Sequence, residues 1–353
     1  MMRYFRVAIA VTVLATAGAA AASPIYGTLS NFDVINDTGG ETHGFEIEIH
    51  GLSSSDVLYK FGAPYQRYGN PTVEDFVGGV YVRYKSSFNT INQTFVQATP
   101  LATISQATGH QCWTGGSAGY LTSGCEHFGV GLRGNATQTK YRWLVADMVT
   151  PGSLKPFGTD VSLPAPIWNV SPPANPGGAE LVRAVIEAEA PEVHDQYGEP
   201  QWVKIFKTEV EHEVDLNRLV TDDPIVPQAV AETEWKILQA RPIGKQGNGR
   251  NNGLVLNEAP VGDRKHAVIR RYEFYKYTGG FNPEDHEVEC GGDGSCDVPL
   301  DGELGDYIGA QMAAINLRAL AAPGQPVPEP STVLLLGAGI VGLGLWRGRK
   351  SIR

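Results

Sequence analysis

The sequence predicts a mainly β fold: two antiparallel β-sandwich domains of immunoglobulin-like or fibronectin-like type, with short hydrophobic helices at both termini. Three observations carry that expectation. Gly44–Leu52 alternates apolar Phe45, Ile47 and Ile49 with polar Glu46, Glu48 and His50, the period-two pattern of a half-buried strand. A content of Gly 42 and Pro 23 in 353 residues favours short strands broken by turns over long helices. A Pro-rich passage, 162–178, splits the strand-like segments into two groups.

Taken in order, residues 1–22 read as a secretory signal peptide: Arg3 and Arg6 precede an apolar run that closes in Ala20-Ala21-Ala22, with cleavage expected after Ala22. Residues 23–161 are expected to form the first β-rich domain, with further strands at Val80–Phe88 and Tyr141–Val149. Proline density makes 162–178 an extended linker or edge segment. The second β-rich domain, 179–320, takes strands from 201–214, 231–240, 253–259 and 266–279. Its first segment, 179–192, suits a strand, but its alanines and glutamates suit a helix as well. Asp306–Leu320 is the best internal helix candidate. Residues 321–326 form a spacer, and 327–353 a tail of separate character.

In that tail Gly337, Gly339 and Gly342 spell G-x-G-x-x-G, but a dinucleotide loop needs a following strand and an acidic residue about 20 positions on, and the sequence runs only to Arg353. Every residue from Val333 to Trp346 is apolar or glycine, and Arg347, Arg349, Lys350 and Arg353 follow, as in a membrane-seeking segment with a cytoplasmic basic stop. As a helix the run spans about 21 Å at about 1.5 Å per residue, short of a full crossing unless arginines snorkel or the bilayer thins. The ordered elements Val327-Pro328-Glu329-Pro330, a Gly/Leu-rich apolar run and a basic end resemble the PEP-CTERM sorting signal of exported bacterial proteins, also catalogued as an ice-binding-protein C-terminal domain. The resemblance implies recognition of the Pro-Glu-Pro element by an exosortase in the membrane, cleavage nearby, and delivery to an exopolysaccharide-rich surface layer. It covers the tail alone, and the body resembles no characterised family.

The formal charge of −10 includes the cations of both removable ends, so the body is more acidic still. Bulk electrostatics therefore disfavour nucleic acid and anionic membrane surfaces as partners of the body. The four cysteines suit an oxidising compartment and fall into two local pairs, Cys112 with Cys125 and Cys290 with Cys296, which are the expected disulfides. Neither pair has zinc-ligand spacing.

Three constellations invite chemistry. Ser117 in "GGSAG" fits the G-x-S-x-G pattern, with His127, His194, His212, His266 and His286 later in the chain, but no helix signal follows, so a disulfide-closed surface loop is the expectation. Asp293, Asp297 and Asp301 lie in a Gly-rich loop whose carboxylates suit calcium, although EF-hand spacing is absent and solvated carboxylates are the plainer reading. In Arg270–Tyr277, Tyr272 and Phe274 alternate with Tyr275 and Tyr277, so that Tyr272 and Tyr275 are candidate glycan contacts. Together these point to an exported, non-enzymatic surface or biofilm-matrix protein, without a required cofactor, whose partners are exosortase at the tail and extracellular polysaccharide at the body. Its tail enters the membrane transiently. A secreted carbohydrate-binding module and a secreted hydrolase are the alternatives.

Overall fold

Strand alternation sorts side chains between two sides, and the resulting faces decide how the layers stack. The computed structural model describes residues 31–102, 112–116, 118–171, 181–214, 232–242, 253–255, 265–290 and 296–317. All of them fall within one compact unit, Met1–Leu317. A seven-stranded sheet runs in the order β14 (Glu232–Leu238), β13 (Gln201–Val210), β16 (Ala267–Tyr277), β19 (Leu304–Asn316), β1 (Asn31–Ile35), β8 (Cys125–Leu132) and β3 (Val57–Lys60). A five-stranded sheet runs β10 (Leu154–Pro156), β9 (Gln138–Ala146), β2 (Gly44–His50), β5 (Gly79–Lys85) and β4 (Thr72–Phe76). A three-stranded sheet places β12 (Leu181–Glu187) between β11 (Ile167–Ser171) and β15 (Gly253–Val255). Two small ribbons complete the set: β6 (Phe88–Asn89) with β7 (Thr94–Phe95), and β17 (Gly280–Phe281) with β18 (Val288–Glu289). Every pairing is antiparallel.

One hydrophobic core draws on all three large sheets. Phe32, Phe128, Ile205, Tyr272 and Ile315 come from the seven-stranded sheet, Phe45, Val82 and Trp143 from the five-stranded one, and Trp168, Val182 and Ile186 from the three-stranded one. Rings cross between the first two sheets: Phe45 stacks on Phe128 and Phe32 on Tyr141, each with centroids 4.3 Å apart. The body is thus built of several antiparallel sheets, and the five- and three-stranded ones share a core with the long sheet.

The mainly β, antiparallel expectation holds, but the arrangement in two sandwiches gives way to a different one. Antiparallel pairing of β1 with β19, Asn31 opposite Met312 through Val34 opposite Gly309, places the first and last described strands side by side. The central sheet therefore runs through the division drawn at 162–178. Within that passage Ile167–Ser171 is an edge strand, preceded by Pro164 and Pro166 where ladder donors are not required.

Asp306–Leu320 is expected as a helix, yet Leu304–Asn316 is the longest strand. Neighbours on both edges satisfy its backbone, which outweighs the helix propensity of Ala310, Ala313 and Ala314. Gly309 is required there, because a Cβ at that position would stand 2.5 Å from the Asp33 carbonyl oxygen. Leu181–Glu187 is likewise strand, which decides between the alternatives for 179–192. Among the described residues there is no α-helix, only single 3-10 turns at Ser54–Asp56 and Tyr120–Thr122, and no helix is long and apolar enough to cross a membrane. The expected terminal helices, including 333–346, lie outside the described residues. Both expected disulfides form, Cys112–Cys125 and Cys290–Cys296.

Phe128 contacts the rings of Phe32, Phe45 and Tyr84 with no exposure. Phe128→Ala is expected to lower unfolding free energy by about 3–5 kcal/mol in urea titrations, whereas Val77→Ala, at a fully exposed turn, leaves the midpoint unchanged.

Candidate functional site

The outer face of the seven-stranded sheet carries the residues that alternate with the core set. Register sets Lys204 between Trp235 on β14 and Glu273 on β16, and Phe206 between Thr233 and Arg271. Tyr275 lies on the same face, opposite Trp202. Lys204, Phe206, Trp235, Arg271 and Tyr275 are all half-buried. The Lys204 ammonium sits 5.1 Å from the Phe206 ring centroid and 5.4 Å from that of Trp235, and the Arg271 guanidinium lies 5.7 Å from Phe206. Such cation–ring contacts are worth about 0.5–1 kcal/mol at exposed sites. Trp235 and Tyr275 rings approach to 5.6 Å. The Glu273 carboxylate is fully engaged: Oε1 accepts from Arg271 Nη2 at 2.8 Å and Oε2 from the Tyr275 hydroxyl at 3.0 Å. Burial, reinforced by that carboxylate, pushes the Tyr275 phenol well above its usual range.

This places the two expected glycan contacts on opposite sides of one strand. Tyr275 is on the half-exposed face, but Tyr272 is 0% exposed in the core and cannot reach a ligand. Lys204, Phe206 and Trp235 were not legible as a group, because they come from different strands and only the register brings them together.

A concavity of about 470 Å³ opens between β9, β12 and β13. Asp160, Glu187, Glu189 and Glu199 line it, with Lys140, Gln138 and Gln201. Burial holds the Glu189 carboxyl above the usual carboxylate range, and the nearby charges of Glu192, Asp160 and Asp37 push the same way against the Ser162 hydroxyl, 3.4 Å off. Glu46 and Glu48, expected on a polar strand face, anchor a lattice on the outer side of the five-stranded sheet. There Arg83 reaches Glu46 at 2.7 Å and Arg142 reaches Glu48 at 2.7 Å and Asp160 at 2.8 Å.

Two buried ionisable pairs involve neighbouring residues of β8. His127 Nδ1 and Asp33 Oδ1 are 2.6 Å apart, neither residue exposed, and they face each other across β1 and β8. Glu126 is also 0% exposed, paired with Arg67 and hydrogen-bonded by the hydroxyls of Tyr120 and Thr99, the latter at 2.6 Å. Burial raises the Glu126 carboxyl from 4.5 to about 7, opposed by Arg67, Thr99 and Tyr120. Ser117 lies outside the described residues, and the chain after it passes through the Tyr120–Thr122 turn into β8, without the helix of a nucleophile elbow. Asp297 and Asp301 are exposed and Asp297 pairs with Lys236 at 3.0 Å, while Asp293 is outside the described residues. Among the described residues no group of three His, Cys, Asp or Glu is placed to hold a metal ion.

Residues 326–350 match the family model of the PEP-CTERM protein-sorting motif. The chain carries a PEP-CTERM signal. Val327, Pro328, Glu329 and Pro330 lie inside the match, and the signal implies export and exosortase-dependent sorting toward the cell surface. Neither a curated protein nor a solved structure matches the chain.

The Glu126 carboxyl gives stability a defined pH dependence. Its folded value lies above its free value, so between 4.5 and about 7 the folded protein binds more protons than the unfolded chain, and stability falls as pH rises through that window. Urea midpoints are expected to drop between pH 5 and pH 7.5, and Glu126→Gln to flatten that slope; an identical slope in the variant would assign the effect elsewhere. Arg67→Met strands the buried carboxylate and is expected to cost about 3–5 kcal/mol by the same titration at pH 7.5.

Proposed function

We propose that the body is a non-enzymatic surface or biofilm-matrix protein that associates with extracellular polysaccharide. The observation that carries this reading is the half-exposed aromatic group Phe206, Trp235 and Tyr275 on adjacent strands of one sheet face. Aromatic rings present a large apolar surface at little cost in side-chain entropy, and sugar C–H faces are flat and apolar enough to stack on them. A sheet fixes ring positions through backbone pairing, so the rings are held in place before the ligand arrives and less ordering cost falls on binding. The sorting signal supports the same setting, since the resemblance in the tail implies delivery to an exopolysaccharide-rich layer, with a precursor held briefly in the membrane by the apolar segment.

Co-sedimentation of the purified protein with exopolysaccharide from the producing cells is expected to saturate, and Trp235→Ala to weaken it about tenfold, the equivalent of about 1.4 kcal/mol. Tyr272→Phe, buried in the core, is expected to leave it unchanged. Saturable binding that survives Trp235→Ala would place recognition away from this face, and no binding would overturn the reading. For the tail, Glu329→Ala is expected to leave full-length precursor in the membrane fraction, read by the size of the cell-associated and released species.

A further inference from the structure

Lys204 is an unusual lysine for so acidic a chain. Among the described residues it has no carboxylate partner; its ammonium rests against Phe206 and Trp235 instead. The nearest acidic group in register, Glu273, has both oxygens committed to Arg271 and Tyr275. Glu273 is thus held by Arg271 and Tyr275, and the Lys204 ammonium, resting on two rings, stays open to a further anion. A cation held against ring faces keeps its affinity for anions, because the rings hold it only weakly.

We infer that this face takes a carboxylate-bearing sugar, a uronic acid unit of an acidic polysaccharide, with its C–H face on Trp235 and its carboxylate on Lys204. The inference rests on the polysaccharide reading above and adds the chemical class of the ligand. A pyranose ring carries its carboxylate at its rim, so a sugar lying on one ring beside Lys204 presents stacking and charge to the protein together. Charge-assisted hydrogen bonds to an ammonium are about twice as strong as neutral ones, which gives the acid form its preference over a neutral sugar of the same shape. A nucleic acid fits less well. Its phosphates call for a stripe of cations, and the formal charge of the chain is −10.

The test compares binding of the whole protein to polygalacturonate and to its fully methyl-esterified form, which keeps the C–H faces and removes the charge. The acid is expected to bind about tenfold tighter than the ester at low salt, with the advantage shrinking as salt rises. Lys204→Gln is expected to bring the acid down to the level of the ester, Lys204→Arg to keep the preference, and Trp235→Ala to weaken both polymers. Equal binding of acid and ester, unaltered by Lys204→Gln, would overturn the acidic-sugar assignment while leaving the aromatic reading in place. Binding of neither polymer, with native-state binding to the producer's own exopolysaccharide retained, would also overturn it, and loss of both kinds of binding would remove the two readings together. Tighter binding to single-stranded DNA than to polygalacturonate, abolished by Lys204→Gln, would reassign the face to nucleic acid.

Discussion

The pairing of β1 with β8 and β19 is the constraint on which the rest depends. Five residues, Asn31–Ile35, close a sheet whose other strands come from both ends of the body. Phe32 and Val34 point into the shared core, Asp33 points to the other side to meet His127, and Gly309 lets the neighbouring backbone approach. Without that strand, β8 and β3 would lose their connection to the four strands beyond it, three of which bear the aromatic face. The two disulfides cannot substitute, since they span separations of 13 and 6 residues and leave the long-range closure untouched. Closing contacts across nearly the whole body costs little more free energy than closing shorter ones, because the entropy grows only with the logarithm of loop length. It does slow folding, so the body assembles late, after almost all of its strands are available.

Buried charge reinforces the same junction. Asp33 and His127 occupy opposed register positions, and a slip of one residue would turn Phe32 out of the core and leave a charged group facing rings. Glu126, one residue earlier on β8, is tied through Arg67 and Thr99 to segments before the disulfide loop and through Tyr120 to the loop itself. Leaving any of these groups unpaired in the interior is costly, whereas the paired arrangement is available only in one register. The polar contacts therefore select among pairings that hydrophobic burial alone would leave close in energy.

Much of the strand content was legible because alternation is local: Phe45, Ile47 and Ile49 are buried as the pattern requires, and Tyr272 and Tyr275 do fall on opposite faces. Which of those faces looks outward was not legible, since it depends on which sheet packs behind β16. The final strand was hidden for a related reason. Its alanines and glycines are small because two strands flank it and the core side is crowded, and composition alone renders that as helix propensity. The continuity of the central sheet through 162–178 was equally out of reach, because proline density reports local extension and says nothing of what pairs beyond it. The sorting tail was the most readable part, being recognised by order of residues rather than by folding.

The net charge of the chain describes solubility and long-range steering better than it describes any one face. At physiological ionic strength the screening length is about 8 Å, so carboxylates beyond the sheet face act weakly at Lys204, while Glu273, within the same strand register, acts fully. At Lys204 the carboxylate that matters is therefore Glu273, which Arg271 and Tyr275 already engage, and not the surplus of acidic residues elsewhere. The cleft lined by Asp160, Glu187, Glu189 and Glu199 has the opposite character, since acidic side chains gather there and burial, with nearby negative charge, raises the Glu189 carboxyl. Strand register thereby places a ring-bound cation on one surface and a group of carboxylates on another, which overall composition does not reveal.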